Sequence, residues 1–123
     1  MGFDHVIPEL IQKFLKKKHI SIVNANHIRS FCFIDDAINY IYNLSHSKIK
    51  NETINIGSDS NKIKIFDLAN KIKNKLQKIL DIKLRLKKAK SKNINYSPKK
   101  RVPSIKKLKR LYNFNFCLLY TSP

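Results

Sequence analysis

The sequence predicts a small α/β fold in which short strands alternate with amphipathic helices. Two observations support this class. Apolar residues recur at three- and four-residue spacing in several segments, and short apolar runs bounded by turn-forming residues lie between those segments. With 123 residues, the chain is long enough for one compact unit with a modest core but too short for two full lobes.

The first helix is expected over residues 4–18, entered through Pro8. Apolar residues form one face of this segment, and lysines gather at its C-terminal end, where the negative pole of a helix dipole lies. Residues 19–23 alternate as a short strand does. The turn at 24–27 contains two asparagines, a residue type that tolerates the left-handed backbone region.

A second strand is expected over residues 29–34, followed by a helix over 37–44. Asp35 and Asp36 stand between the two, and either can cap the helix. Helix capping explains this pair better than a general-acid role does. The apolar residues of the helix are expected to form a buried stripe, namely Ile38, Ile41 and Tyr42.

The second half of the chain continues the alternation. Residues 52–57 are expected to form a strand that stops at Gly57, and a turn at 58–62 leads to a helix over 65–80. Asp67 lies in the first turn of that helix, where the dipole favours a negative charge. The predicted buried face of the helix contains Leu68, Ala69, Ile72, Leu76 and Ile79.

Residues 82–86 alternate as a further strand, and a lysine- and asparagine-rich loop follows over 87–100. Ser104 can then cap a short last helix, which Asn113 can close in place of the usual glycine. The apolar stripe of this helix is Ile105, Leu108, Leu111 and Tyr112.

A formal charge of +18 makes a small basic nucleic-acid-binding or interaction module one interpretation of the chain. The excess is almost entirely lysine, whereas specific recognition of bases and phosphates relies on the forked guanidinium of arginine. Lysine, isoleucine and asparagine share A/T-rich codons, so a biased genome gives this composition on any fold. We therefore favour an ordinary solvated lysine surface over nucleic-acid binding. The four arginines are Arg29, Arg85, Arg101 and Arg110.

Two cysteines, Cys32 and Cys117, are too few for a disulfide framework and lack metal-ligand spacing, so both are expected to be reduced thiols. No run of about 18 apolar residues occurs, and residues 1–18 lack the pattern of a signal peptide. The chain is therefore expected to be cytoplasmic, without a membrane partner.

Four sequence blocks, taken in order, resemble one protein family. They are HVIP at 5–8, RSFCFIDD at 29–36, NIG at 55–57 and RVPSIKKLKRLYNF at 101–114. Their order and spacing over residues 1–116 are similar to the C-terminal part of the extended short-chain dehydrogenases/reductases, the group of NAD-dependent nucleotide-sugar epimerases and dehydratases. The resemblance implies an α/β fragment of the C-terminal substrate-binding lobe, without most or all of the Rossmann sheet.

The resemblance also implies which residues bind the substrate. Arg29 and Arg101 match the family's arginines that reach the diphosphate of a UDP-, dTDP- or GDP-linked sugar. Arginine suits a diphosphate because it stays charged and donates in a forked geometry. Val6, Pro8 and Ile22 fall in segments that line the nucleotide base. Surface or ion-pair roles remain the alternative for both arginines, and the intact parent is expected to be a homodimer.

The chain lacks the parts that the family uses for catalysis. It contains no G-x-x-G-x-x-G loop for the NAD(P) pyrophosphate. Tyr96 and Lys100 have the spacing of the catalytic Tyr-x-x-x-Lys pair, but Pro98 between them prevents a regular helical turn. We therefore expect NAD(P) in the intact parent, no cofactor, metal or catalytic residue in these residues alone, and no turnover.

One turn and two single positions depart from the family pattern and leave the identity of the nucleotide-sugar open. Residues 24–26 replace a G-D-G turn, Ser104 replaces an aspartate, and Asn113 replaces a glycine. Residues 117–123 resemble adapter sequence and are expected to be an aberrant tail, which places the lobe at 1–116.

Without the Rossmann half as a partner, some apolar helix faces are expected to be partly exposed. The face that contains Leu10 and Phe14 is the one we expect to lose its cover. Marginal stability and aggregation should follow, unless the high charge keeps the chain in solution.

Overall fold

The structure, a computed structural model, describes residues 5–90 and 97–111. Four helices and five strands occur within these ranges. In chain order they are α1 (Val6–Lys16), β1 (His19–Ile22), β2 (Ile28–Ser30), α2 (Ile34–Ser45), β3 (Lys62–Lys64), α3 (Ile65–Leu80), β4 (Arg85–Lys88), β5 (Lys100–Arg101) and α4 (Lys106–Leu111).

The chain folds as two compact units, where its length suggested one. Unit 1 comprises Met1–His27 and Ile63–Lys99, and unit 2 comprises Ile28–Lys62 and Lys100–Pro123. The chain leaves unit 1 after the turn that follows β1, returns to it through β3, and leaves it again at β5. Each unit is therefore built from two separate stretches of sequence.

Unit 1 is organised around a pair of parallel strands. β1 and β4 pair in the register His19 to Arg85 and Ile22 to Lys88, and α3 packs on both β4 and α1. The prediction of partial exposure on α1 is wrong, because Leu10 and Phe14 are buried against the other elements of this unit. The buried apolar residues of unit 1 are Leu10, Phe14, Ile20, Ile22, Ala25, Ile65, Leu68, Ala69 and Leu84.

Helix α3 has the predicted bounds. Its first turn is satisfied by backbone carbonyls: the Ile65 amide donates to His27 O at 2.9 Å, and the Phe66 amide donates to Ala25 O at 3.0 Å. The turn that provides these carbonyls depends on Asn24, which has the expected left-handed backbone with φ 56°. The predicted buried face is confirmed for its first turns but not for Ile79, which is exposed.

Strand β4 starts three residues later than its alternation predicts. Helix α3 ends at Leu80, and its C-cap residue Asp81 has a left-handed backbone with φ 50°. The Leu84 amide then donates to the side-chain oxygen Oε1 of Gln77 at 2.7 Å, so this amide is bonded to a helix side chain rather than to a strand. The two-stranded pairing begins only at Arg85.

The three-stranded sheet has the order β3-β2-β5, and its strands β2 and β5, both of unit 2, run parallel to each other. Both of these strands differ from their prediction. β2 ends at Ser30 because α2 already begins at Ile34, and β5 lies in a segment predicted as a loop. Asp35 and Asp36 lie inside the first turn of α2, whose N-cap is Phe33 with no side-chain cap hydrogen bond, so the capping prediction is wrong.

The buried stripe predicted for α2 is also wrong. Tyr40 is buried, whereas Ile38, Ile41 and Tyr42 are exposed. Tyr40 forms the core of unit 2 with Ile105 and Leu108 of the α4 segment, and Leu44 and Ile54 pack against this cluster. The core therefore contacts the face of α2 that contains Tyr40 and Leu44, and not the predicted stripe.

The predicted strand at 52–57 does not form, although Ile54 packs on the core. Side chains bind this segment in place of a neighbouring strand. Lys107 Nζ donates to Thr53 O at 3.0 Å, and Asn55 Nδ2 donates to Ser104 O at 3.2 Å. A strand is stabilised by hydrogen bonds along a paired backbone, which these single side-chain contacts do not replace.

The predicted stripe of the last helix is confirmed for Ile105 and Leu108, which are buried, whereas Leu111 is half-buried. Capping by Ser104 stays a prediction. Several predictions fall outside the described residues, namely those on Tyr96, Tyr112, Asn113, Cys117 and the tail at 117–123.

Candidate functional site

The two arginines predicted to bind a diphosphate lie next to each other in unit 2. In the parallel pairing of β2 with β5, Arg29 is the direct Cα partner of Arg101. Neighbouring strands lie about 4.8 Å apart, so the two side chains start from adjacent backbone positions. Arg29 is partly buried, whereas Arg101 is exposed.

The electrostatics of this pair favour an anion. Burial lowers the pKa of the Arg29 guanidinium from its ordinary value, and the positive charge of Arg101 lowers the pKa further. Both effects mean that the charged form of Arg29 is held at a cost. Arg29 Nη1 also donates to Ile28 O at 2.8 Å, which fixes part of its fork. A dianionic group bound by both arginines would relieve the repulsion between them.

Close packing holds the segment that follows β5. A Cβ added at Gly57 would lie 2.8 Å from Cγ of Pro103, which is closer than real Cβ contacts. Gly57 is therefore needed here because Pro103 fills the space that a side chain would take. Together with the Asn55 contact to Ser104 O, this packing joins the NIG block to the RVP block.

Buried polar groups fix the end of β2. The Phe31 amide donates to Asn61 O at 3.1 Å, and the Asn61 amide donates to Ser58 Oγ at 3.1 Å. Ser30 Oγ donates to Ser58 O. Ser58 and Asn61 are both buried, so these bonds are shielded from water. Arg29 therefore lies directly before a segment that these hydrogen bonds hold in place.

Two of the three residues predicted to line a nucleotide base share a cleft in unit 1. Val6 and Ile22 line a cleft of ≈ 280 Å³ together with Glu9, Lys13, Ser21 and Asn24. Pro8 is not among the residues that line this cleft. The exposed lining of this cleft is more polar than apolar, whereas typical small-molecule sites are lined mostly by apolar side chains.

The residues present do not fit NAD(P). The chain has two glycines, and Gly57 is occupied in packing against Pro103. A loop with three glycines that cradles a pyrophosphate therefore has no counterpart among these residues. No group of three or more metal-ligating side chains occurs in the described ranges. Over the same ranges, no helix is long and apolar enough to cross a membrane.

The chain is similar to known enzymes in part of its sequence and in its fold. No family model matches the chain. The GDP-6-deoxy-D-talose 4-dehydrogenase of Aggregatibacter actinomycetemcomitans is 36% identical to it over 56 residues, which are 45% of this chain and 19% of that enzyme. A crystal structure of a GDP-L-fucose synthetase from Naegleria fowleri bound to NADP superposes with a TM-score of 0.73. These likenesses agree with the resemblance to the NAD-dependent epimerases and dehydratases that the sequence blocks indicated.

The extent of the match is uneven. The synthetase superposition covers 94% of this chain and 36% of that one, at 19% identity. The NAD-dependent NDP-hexosamine 5,6-dehydratase of tunicamycin biosynthesis superposes with a TM-score of 0.58 at 15% identity, over 89% of this chain and 34% of that one. The chain thus has an α/β part of the extended short-chain dehydrogenase/reductase fold, as predicted, and spans about a third of the length of these two structures.

Sequence reasoning missed two parts of the site. The strand β5 was not predicted because only Lys100 and Arg101 form it, which is too short for any alternation to be visible. The polar contacts among Ser30, Ser58 and Asn61 were missed as well. Their only sequence signal is the cluster of turn-forming residues at 58–61.

Proposed function

We propose that these residues are the nucleotide-sugar-binding portion of an NAD-dependent nucleotide-sugar epimerase or dehydratase. The observation that carries the proposal is the direct pairing of Arg29 with Arg101 across β2 and β5. In a chain whose cations are almost all lysines, two arginines meet at adjacent positions of a sheet. A forked guanidinium pair matches the two phosphates of a nucleoside diphosphate.

The presence of a cleft lined by Val6 and Ile22 in unit 1 supports a role of these residues in nucleotide binding. We propose that Val6, Pro8 and Ile22 contribute to the surroundings of the base, with Pro8 acting on the backbone of α1 rather than on the cleft wall. The comparisons name GDP-linked sugars for two relatives and an NDP-hexosamine for a third. A GDP-, UDP- or dTDP-linked sugar is therefore the ligand class to test.

Catalysis is proposed to need more than these residues. NAD(P) would supply hydride transfer in an intact parent, which we propose to be cytoplasmic and homodimeric. Because this chain does not provide a pyrophosphate loop or a regular Tyr-x-x-x-Lys turn, the chain alone should bind a nucleotide without turnover. Adding NADP and a GDP-sugar should then give no change in nicotinamide absorbance.

The test is isothermal titration of the full chain with GDP, UDP and dTDP at low salt. Arg29→Lys and Arg101→Lys should each weaken binding by about tenfold or more, because each removes charge-assisted hydrogen bonds worth about 1.5–3 kcal/mol. Arg85→Lys is the matched control, since Arg85 is an exposed arginine on β4. It should change the affinity by less than about twofold. Unchanged affinity in all three variants, which keep their positive charge, would show that only general positive charge is sensed.

A second candidate function is binding of a nucleic acid by unit 1. Lys13, Lys16, Lys17 and His19 line a cleft of ≈ 370 Å³, and His19, Arg85 and Lys87 line a neighbouring cleft of ≈ 360 Å³. This arrangement gathers cations from the end of α1 and from β4. Binding of this kind would weaken steeply with salt and would not discriminate between Arg29→Lys and the wild type.

A further inference from the structure

Helices α1 and α3 of unit 1 end near the same end of the β1–β4 pair. A link of two residues joins α1 to β1, and a link of four residues joins α3 to β4. The two strands are parallel, with His19 opposite Arg85, and the Arg85 amide donates to Lys18 O at 2.8 Å. The C-termini of both helices therefore lie near these paired strand starts. We call residues 15–19 and 78–85 the basic end of unit 1.

The basic end carries more positive charge than its helices need. Its cations, all of them exposed, are Lys16, Lys17, Lys18, Lys78, Lys83 and Arg85. Its sequence contains one carboxylate, that of Asp81, and each helix C-terminus adds roughly half a negative charge. After these are balanced, an excess of about four positive charges remains. Helix stabilisation therefore explains only part of this cluster.

Large apolar side chains are exposed among these cations. Leu15 lies in the last turn of α1 and is 58% exposed, and Ile79 and Leu80, which close α3, are 65% and 44% exposed. The first turns of the same helices carry the carboxylates of Glu9 and Asp67 instead. A codon bias that enriches lysine and isoleucine acts along the whole chain. It does not explain why exposed aliphatic side chains and excess lysines meet at one end of unit 1.

This combination matches the surface of an anionic lipid bilayer. Aliphatic side chains enter the boundary between headgroups and acyl chains, and lysines are attracted to anionic headgroups. Nucleic acid is a poorer match, because it is bound through forked arginines and through aromatic rings that stack on bases. The basic end contains one arginine, Arg85, and no phenylalanine, tyrosine or tryptophan. The observations therefore favour a lipid surface over a nucleic acid.

Two clefts extend the cationic surface of the basic end. Lys16, Lys17 and His19 line a cleft of ≈ 370 Å³, and His19, Arg85 and Lys87 line a second cleft of ≈ 360 Å³. Both clefts offer cations to a headgroup phosphate, for which a lysine serves as a point charge without a forked geometry.

We propose that the basic end of unit 1 binds the surface of an anionic lipid bilayer. Leu15, Ile79 and Leu80 enter the headgroup region, and the surrounding lysines contact anionic headgroups. The expectation of no membrane partner followed from the lack of an apolar span in the sequence, and a peripheral contact needs no span. This surface lies in unit 1 and does not depend on nucleotide binding by Arg29 and Arg101.

The experiment is co-sedimentation of the full chain with lipid vesicles at physiological ionic strength. One preparation is phosphatidylcholine alone, and the other contains about a quarter phosphatidylserine, which gives a negative surface potential. The partition coefficient should be at least about tenfold higher on the anionic vesicles. Equal partitioning on both preparations, or none on either, would overturn the proposal.

Charge variants test whether the basic end itself makes the contact. Lys16→Gln with Lys17→Gln should lower partitioning on the anionic vesicles by about 25-fold, since each lysine near such a surface contributes about fivefold. The matched control is Lys48→Gln with Lys50→Gln, which removes the same charge from exposed lysines of unit 2. It should lower partitioning by less than about threefold. Equal losses in both pairs would mean that net charge alone is sensed and would refute the basic end as the site.

Apolar variants test the entry of side chains into the bilayer. Leu15→Ser with Ile79→Ser leaves the charge unchanged and should lower partitioning by about tenfold or more. The control is Ile38→Ser with Ile41→Ser, at residues of α2 that are 54% and 57% exposed, and it should change partitioning by less than about twofold. Circular dichroism checks the fold of each variant. Unchanged partitioning of the Leu15→Ser with Ile79→Ser variant contradicts the proposed insertion.

A short single-stranded RNA tests the other polyanion. RNA binding that Lys16→Gln with Lys17→Gln weakens and Leu15→Ser with Ile79→Ser leaves unchanged, together with no preference for anionic vesicles, would overturn the proposal in favour of a nucleic-acid surface. Tighter binding to the anionic vesicles than to this RNA, with the expected effects of both pairs of variants, supports the lipid surface.

Discussion

Units 1 and 2 are stabilised in different ways. Among the described residues, nine apolar side chains are buried in unit 1 and three in unit 2. Unit 2 relies instead on close contacts such as that of Gly57 with Pro103 and on buried polar groups such as Ser58 and Asn61. The proposed phosphate-binding arginines therefore lie in the unit with the smaller core, where single contacts determine the geometry.

The two units also differ in charge. Residues 28–62, the longer stretch of unit 2, contain four basic and four acidic side chains, so the excess of +18 lies elsewhere in the chain. Arg29 is the only cationic residue between residues 28 and 47. Its charge is therefore a local feature of β2 rather than part of a general lysine surface. Both helices of unit 1, in contrast, carry exposed lysines, namely Lys13 and Lys16 on α1 and Lys71, Lys75 and Lys78 on α3.

The largest expected effect concerns the core of unit 1. Phe14 is 1% exposed, so Phe14→Ala should lower the free energy of unfolding by about 3–5 kcal/mol. The neighbouring Leu15 is 58% exposed and provides the control, since Leu15→Ala should change stability by less than about 0.5 kcal/mol. Urea denaturation measures both. Equal losses would mean that unit 1 is not organised around the face of α1 that contains Phe14.

A smaller effect is expected from the tight packing in unit 2. Gly57→Ala should destabilise the fold by about 1–3 kcal/mol, because the new Cβ meets the stiff ring of Pro103. The same change should weaken GDP binding by displacing the segment that follows Arg101. Adding Pro103→Ala removes the clashing Cγ and should restore part of both properties. If Gly57→Ala has no effect on either, the contact with Pro103 does not hold this segment.

Unit 2 should also respond to alkaline pH through its core. Burial, and to a lesser extent the charge of Asp36, raises the pKa of Tyr40 from 10.0 to about 12. The unfolded chain loses this proton first, so the stabilising contribution is complete below pH 10 and is lost as pH rises toward 12. Tyr40→Phe should abolish this alkaline loss, whereas Tyr42→Phe on the exposed face should leave it unchanged. Thermal melts across this pH range measure the difference.

The smallest effect concerns a surface ion pair of unit 2. A hydrogen bond from Lys107, together with its charge, lowers the pKa of the Glu52 carboxyl. The contribution of this pair is therefore present at neutral pH and is lost as pH falls through the ordinary glutamate range and below. Glu52→Gln should make melting slightly less sensitive to acid. If the variant has the same acid sensitivity as the wild type, this ion pair does not contribute to the stability of unit 2.

Unit 1 was largely predictable from sequence, and unit 2 much less so. The bounds of α3 follow from an uninterrupted apolar period, and the turn before it follows from asparagine chemistry at Asn24. In unit 2 the apolar pattern of α2 fits two faces equally well, so only the structure shows that Tyr40 rather than Ile41 is buried. The segment at 52–57 has the alternation of a strand but pairs with no neighbouring strand. An alternating sequence cannot show whether such a partner exists.

The candidate site was predictable in part. Arginine chemistry and the resemblance named Arg29 and Arg101, but their direct pairing depends on β5, a strand of two residues that carries no pattern of its own. The contact of Gly57 with Pro103 was equally hidden, because it joins residues distant in sequence through shape alone.

A double-mutant cycle on the arginine pair tests the central claim most directly. GDP affinity is measured by titration for the wild type, Arg29→Lys, Arg101→Lys and the double variant, with Arg85→Lys as the control. If both arginines bind the same diphosphate, the free-energy losses of the single variants should add up to more than the loss in the double variant, with a coupling of about 0.5–3 kcal/mol. Strictly additive losses, or losses no larger than that of Arg85→Lys, would contradict a shared diphosphate site.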